Sequence, residues 1–223
     1  MEEHNHSGAG PVFVRGPTWR RSIGWKPNAD KTATINLPSC SGSVDFANTA
    51  AQDLTVSKTA VPSFTRTYAW DISKDVDKTQ INIAEGGLAT FNYTVDVTHD
   101  TGTDSLWKVD GIITVSNPND WLDIVADVTD SLPAASCNVT GGDDVTVPKN
   151  DHVDLPYSCT FATQPAYDTD LTNTATATWD KATYGTPVGS ATGSKVFQFT
   201  TPTTIVDGSV TVEDDGRGIE RET

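Results

Sequence analysis

Between Leu54 and about residue 200, apolar residues recur at every second position, in runs separated by turn residues. Phe91, Tyr93, Val95 and Val97 interleave with Asn92, Thr94, Asp96 and Thr98. Trp107 and Val109 interleave with Lys108 and Asp110, and beyond Gly111 the pattern resumes through Ile113 and Val115. From Leu171 to Trp179 the alternates are threonines, at 172, 174, 176 and 178. Successive side chains of a strand point to opposite faces, so this period predicts strands with one face buried and one wet. Threonine over an aliphatic inner face suits a half-solvated antiparallel sheet. Helical periodicity is nearly absent.

Turn chemistry separates the runs at Glu85–Gly87, Asp100–Gly102, Asn117–Asp120, Gly141–Asp144 and Tyr184–Pro187. Roughly seven to ten strands then lie between residues 54 and 200, enough for two packed sheets. The expected fold is all-β: an immunoglobulin-like two-sheet antiparallel β-sandwich with an extended N-terminal arm. Pro156, inside a strand run, places that strand at an edge or a bulge. Residues 1–50 read as an arm or the remnant of an upstream repeat, and 54–200 as the sandwich. Residues 201–223 read as a linker or the start of a downstream repeat, partly disordered. Phe46-Ala-Asn48-Thr-Ala50 echoes Leu171-Thr-Asn173-Thr-Ala175, which suggests the last strand of an upstream copy. Residues 11–27 carry Arg15, Arg20, Arg21 and Lys26 beside Trp19 and Trp25. Such a stretch can bind nucleic acid or sugar, but on an acidic chain it reads as part of a truncated neighbour or a packed arm.

Three polar residues break the pattern by keeping its phase. Lys58 follows Leu54 and Val56, Asp130 follows Ala126 and Val128, and Asn173 sits among Leu171, Ala175 and Ala177. Each should point into the core unless a bulge turns it to water. A buried amine, carboxyl group and carboxamide form either a hydrogen-bonded network, with a Lys58–Asp130 ion pair, or a lysine–asparagine isopeptide. In the second case burial lowers the amine's pKa and raises the acid's, so that neutral Lys58 attacks Asn173 while Asp130 polarises it.

The cysteines are three. Cys137 is in phase with Val139, and Cys159 with Leu155, Tyr157 and Phe161, so both should point inward. They form either a disulfide, which would close a loop of about twenty residues and contribute roughly 3 kcal/mol, or two reduced core thiols. Cys40 is left over.

With 15 basic and 30 acidic residues the net charge is −15. Such a surface repels nucleic acid and anionic membrane. No apolar run approaches the ~18 residues of a membrane helix. The start, Met1-Glu-Glu-His4-Asn-His6, has no signal-peptide pattern, so an exported protein would be represented here by a fragment. His4, His6, His99 and His152 lie in no zinc spacing, and no nucleophile elbow, phosphate loop or cofactor motif appears. The expectation is no enzyme, no metal and no cofactor. A binding alternative rests on Trp121 beside Asn119 and Asp120: an exposed indole there would stack on a sugar, whereas a buried one caps the core.

Leu54-Thr-Val-Ser-Lys58-Thr, Asn117-Pro118, Val128-Thr-Asp130-Ser-Leu132-Pro133 and Thr172-Asn173-Thr-Ala-Thr176 follow in one order. That order resembles the repeated bacterial and archaeal cell-surface domain known as domain of unknown function eleven. Ser63-Phe-Thr-Arg-Thr-Tyr-Ala-Trp70 with Trp107-Lys-Val-Asp-Gly-Ile looks like a variant found in long secreted proteins. The resemblance covers about residues 54–180. It implies a spacer or adhesin stalk repeated in tandem outside the cell or on its surface, with a late cysteine pair where Cys137 and Cys159 sit. The implied partners are neighbouring copies, in tandem or by strand donation, or a surface glycan or protein, but neither nucleic acid nor membrane. A Lys58–Asn173 link would resemble the self-formed bonds of immunoglobulin-like domains in surface adhesins.

Overall fold

The period-two runs fold as strands, and their apolar sides close on each other to make one interior. The computed structural model describes residues 25–26 and 49–213. Its strands are β1 (Trp25–Lys26), β2 (Thr49–Ala50), β3 (Thr55–Lys58), β4 (Val61–Thr67) and β5 (Trp70–Val76). Next come β6 (Tyr93–His99), β7 (Thr103–Asn117), β8 (Ile124–Ser131), β9 (Ala135–Val139) and β10 (Val145–Val147). The last are β11 (Asp151–Phe161), β12 (Leu171–Thr178), β13 (Ser190–Phe197) and β14 (Thr204–Val206), with a single turn of helix, α1 (Lys181–Tyr184), before β13.

Two sheets make the sandwich. One has the order β10-β8-β12-β13; the other runs β14-β4-β7-β11-β9, with β3 also paired to β7. Both β3 and β4 run antiparallel to β7, meeting it at Thr55↔Ser116 and Thr67↔Thr103 respectively. The opposite edge of β7 takes β11, from Asp151↔Asn117 to Thr160↔Lys108. Val109, Ile113, Val115, Leu155 and Tyr157 of this sheet face Ile124, Ala126, Val128, Ala175 and Ala177 of the other, all buried in one cluster. Aromatic rings fill the end near Trp107: Phe64 stacks on it at 4.1 Å, and Phe199 meets it edge-on at 5.0 Å. The fold is therefore the all-β sandwich that the alternation predicts.

Several expectations change in detail. The sandwich does not end at residue 200, because β14 pairs in parallel with β4 from Thr204↔Thr65 to Val206↔Thr67. Short alternating runs at a chain end carry too little signal to separate from linker. Pro156 lies on β11, an internal strand flanked by β7 and β9. Its carbonyl accepts from Thr140 N just beyond the end of β9. A strand residue's N and C=O point to the same side, so the missing N–H faces Thr140, one residue past the last paired position of β9. The run around Tyr93–Val97 joins no core: β5 and β6 form a separate two-stranded sheet, with Ile72, Tyr93 and Val95 exposed. Thr49 and Ala50 of the echoed segment pair with Lys26 and Trp25 and lie outside both main sheets. The rest of the N-terminal arm, Cys40, His4, His6, the basic stretch but for residues 25–26, and the tail from 214 lie outside the described residues.

Gly193 lets the two sheets close. A Cβ there would lie 2.5 Å from the Val56 carbonyl oxygen on β3. Gly193→Val forces the β13 and β3 backbones apart, and overpacking of this kind costs typically 1–3 kcal/mol. A urea denaturation midpoint unchanged from wild type would contradict that close approach.

Candidate functional site

Lys58, Asp130 and Asn173 all turn inward. Lys58 ends β3, opposite Ile113 of β7, and so enters from the larger sheet. On the smaller sheet, Asp130 of β8 lies opposite Ala175 of β12, two residues along from Asn173. The side chains of Lys58 and Asp130 are both 0% exposed, as is Asn173 as a whole. Lys58 Nζ donates to Asp130 Oδ1 in a short, charge-assisted contact across the interior. The pair thus ties one sheet to the other.

Two further groups build the pocket around them. The Tyr157 ring lies under the amine, its centroid 3.9 Å from Nζ. A Cβ at Gly111 would sit 2.7 Å from that ring, so glycine opposite Tyr157 makes its seat. The Tyr157 hydroxyl donates to the Thr59 carbonyl at 2.6 Å, anchoring the ring beside β3. Cys159 forms the other wall. It is joined to Cys137, its cross-strand partner, at an S–S distance of 2.03 Å. The disulfide is thus the form the two inward cysteines take.

Asp130 Oδ2 lies 3.2 Å from Cys159 Sγ, and Asn173 Nδ2 donates weakly to the same sulfur at 3.7 Å. A disulfide sulfur has no hydrogen to give, so Oδ2 gains no donor from it. The Asn173 carbonyl oxygen is buried with no hydrogen-bond partner. Amine, acid and amide are therefore gathered around one sulfur and one aromatic ring, and their hydrogen bonding is incomplete.

Electrostatics follow from the burial. Desolvation lowers the Lys58 pKa, opposed by the hydrogen bond and charge of Asp130. Desolvation, reinforced by the negative charge of Asp130, pushes the Tyr157 hydroxyl up to about 12, while Asn173 works the other way. Asp130 and the two cysteine sulfurs also fall within 4.8 Å of one another, a metal-ligand spacing. In the disulfide those sulfurs offer no thiolate.

The proposed loop set comes apart. Asn119 is fully buried: it exchanges hydrogen bonds with the Gln52 backbone, each of 2.8 Å, and its Nδ2 also reaches Asn117 Oδ1 at 2.8 Å. Asn117 in turn donates to the Leu122 and Val147 carbonyls. Asn119 is a staple holding the entering chain to the turn, so it cannot meet a ligand. Trp121 is half-buried and Asp120 exposed. The alternation alone fixes which side chains point inward but not which ones meet across the interior, so it could not single out Tyr157.

No family model matches the chain, and no curated protein or solved structure is significantly similar to it. The family resemblance therefore stands on the quoted residues alone.

Two predictions arise from the pocket. Removing one partner of a buried pair costs about 3–5 kcal/mol, while apolar replacement of both is often neutral. Lys58→Met/Asp130→Leu should therefore be more stable than Asp130→Ala by roughly 3 kcal/mol, and equal denaturation midpoints would contradict the pairing. The second concerns alkali. The Tyr157 hydroxyl is pushed up to about 12 in the folded chain, from its ordinary value of 10.0 when unfolded. Between those values the unfolded chain holds fewer protons, so the Tyr157 contribution to stability falls as pH rises. Tyr157→Phe should flatten that decline in urea titrations across the window; an equally steep slope would place the hydroxyl outside the interior.

Proposed function

We propose that this chain is a non-catalytic structural module, a spacer, stalk or fibre unit of an extracellular surface protein. The observation that carries this reading is where the chain enters and leaves. Thr55, at the start of β3, pairs with Ser116 at one end of β7. Val206, at the end of β14, pairs with Thr67, which lies opposite Thr103 at the other end. At about 3.4 Å per residue, entry and exit are separated by roughly 45 Å along a single strand. A module threaded this way sets its neighbours at opposite poles.

Both poles are tied down. Asn119 holds Gln52 at the entry, as described above. At the exit, Tyr68 N donates to the Val206 carbonyl at 3.2 Å, and Trp70 Nε1 to the Asp207 carbonyl at 2.6 Å. Tension on the ends draws β14 and β4 past each other in opposite directions. Parallel strands pulled in this sense share the load across their ladder. The disulfide suits an oxidising, extracellular setting. Among the described residues no helix is long and apolar enough to cross a membrane. Tandem placement of neighbouring copies fits the poles better than strand donation, and the net charge of −15 keeps such an array soluble.

Small-angle scattering of one-, two- and three-copy concatemers tests the reading. The maximum dimension should grow by roughly 45 Å or more with each copy. Compact particles whose length does not follow copy number would overturn it. Concentration-dependent polymers of the single unit would instead assign assembly to exchanged strands.

A further inference from the structure

We propose that the Lys58 amine and the Asn173 carboxamide condense inside the folded sandwich to an intramolecular amide, with Asp130 as the catalytic proton carrier. This deepens the structural reading and rests on it for the purpose of the bond, though not for its chemistry.

Three observations carry it. Lys58 and Asp130 are in contact with no exposed side-chain surface. An ammonium has three donors, and here the one carboxylate oxygen and the face of Tyr157 are what it meets. Asn173 is fully buried, with its carbonyl oxygen unpartnered and its nitrogen turned to the Cys159 sulfur and the Tyr157 hydroxyl. The buried carboxamides that fasten the entry turn, Asn117 and Asn119, have both ends satisfied. The sulfur that Asn173 touches also touches Asp130, and Tyr157 meets both Lys58 and Asn173, so amine, acid and amide border one pocket. Desolvation already disfavours the charged amine, which makes the neutral nucleophile accessible.

The reaction balances without an added reagent. A proton passes from Lys58 Nζ to the Asp130 carboxylate, leaving an amine and a carboxylic acid. The Nζ lone pair attacks Asn173 Cγ, and the Nζ–Cγ bond forms as the carbonyl π pair moves onto Oδ1. Asp130 gives its proton to Oδ1, takes one from Nζ and passes it to Nδ2. The Cγ–Nδ2 bond then breaks, ammonia leaves, and the Oδ1 proton returns to Asp130. Nothing is oxidised or reduced, and the disulfide is a bystander. Oδ1, which lacks a donor in the unreacted fold, gains one from Asp130 as negative charge develops on it.

The product ties β3 to β12 and closes residues 59–172 into a covalent loop. Intact mass of the purified chain, after reduction of the disulfide, reads the reaction directly. Wild type should be lighter than its sequence mass by one ammonia, and Lys58→Ala, Asn173→Ala and Asp130→Ala should each show the full sequence mass. Tandem mass spectrometry of a tryptic digest should find the peptide containing Lys58 joined to the one containing Asn173. A wild-type chain at full sequence mass overturns the proposal, whatever the variants do. So does an ammonia loss that survives in Lys58→Ala, because that assigns it to asparagine cyclisation elsewhere. The readout is independent of the scattering test: concatemers that extend while the mass stays full keep the module and lose the amide.

Discussion

Every strand of the larger sheet takes its position from β7. Its fifteen residues carry β3 and β4 in sequence along one edge and β11 along the other, and β14 and β9 hang from those neighbours. One register thus decides several things at once. It sets Lys58 opposite Ile113 and Tyr157 opposite Gly111, which puts the amine over the ring. It also puts the start of β3 and the end of β14 at opposite ends of the same strand. A slip of one residue on either edge would turn Lys58 or Tyr157 to solvent, because side-chain direction reverses at each step. The apolar face of β7, with Val109, Ile113 and Val115 all at 0% exposure, makes such a slip costly.

The polar set inside this apolar body is not explained by stability. Two charges withdrawn from water regain in mutual attraction about what they lose in solvation, and apolar residues of similar size do as well. The set is also incomplete as a network, since an acceptor on Asn173 has no donor. Ser63 Oγ and Trp107 Nε1 are likewise buried without a partner, whereas other interior polar groups are answered. Asn117 and Asn119 satisfy backbone groups of the entry turn, and Trp179 Nε1 donates to Thr186 at 2.8 Å. Among these buried carboxamides, Asn173 differs from Asn117 and Asn119 in leaving its carbonyl oxygen unanswered.

The sequence made the asparagines of the entry turn hard to see and the inward polar set easy. Lys58, Asp130 and Asn173 fall inside regular alternation, where period two assigns a face without knowledge of the partner strand. The inward direction of Cys137 and Cys159 was legible for the same reason. Asn119 lies in an Asn-Pro-Asn-Asp turn, where composition says loop and loops are read as exposed. Its burial depends on Gln52, distant in sequence, and no local pattern reports that contact. Tyr157 was readable as an inward residue but not as the floor beneath an amine, because that needs the pairing of β3 and β11 to the same central strand. The β5–β6 hairpin shows the opposite error: Tyr93, Val95 and Val97 alternate faultlessly, yet their face packs on neither main sheet. Alternation establishes that a strand has two different faces, and only topology establishes what covers them.

In the proposed stalk role, covalent links matter according to where they lie on the path of the force. The Cys137–Cys159 disulfide joins β9 to β11, both between the entry and exit strands in sequence, and it closes a short loop of separation 22. It stabilises the folded state by restricting the unfolded one, by roughly 3 kcal/mol, but it carries no load until the sandwich has opened. A Lys58–Asn173 amide differs in kind. It joins the strand at which the chain enters to a strand near its exit, so tension would pass from β3 directly into β12, and residues 59–172 would be shielded from extension. What remains on the path of the force is the rest of β12, the edge strand β13, and the three-residue ladder of β14 with β4. Ala175, Ala177, Phe197 and Phe199 lie on that stretch and are buried in the core, so its extension would open the interior on that side. In the proposed stalk role the amide would thus confine extension to the strands that follow Asn173.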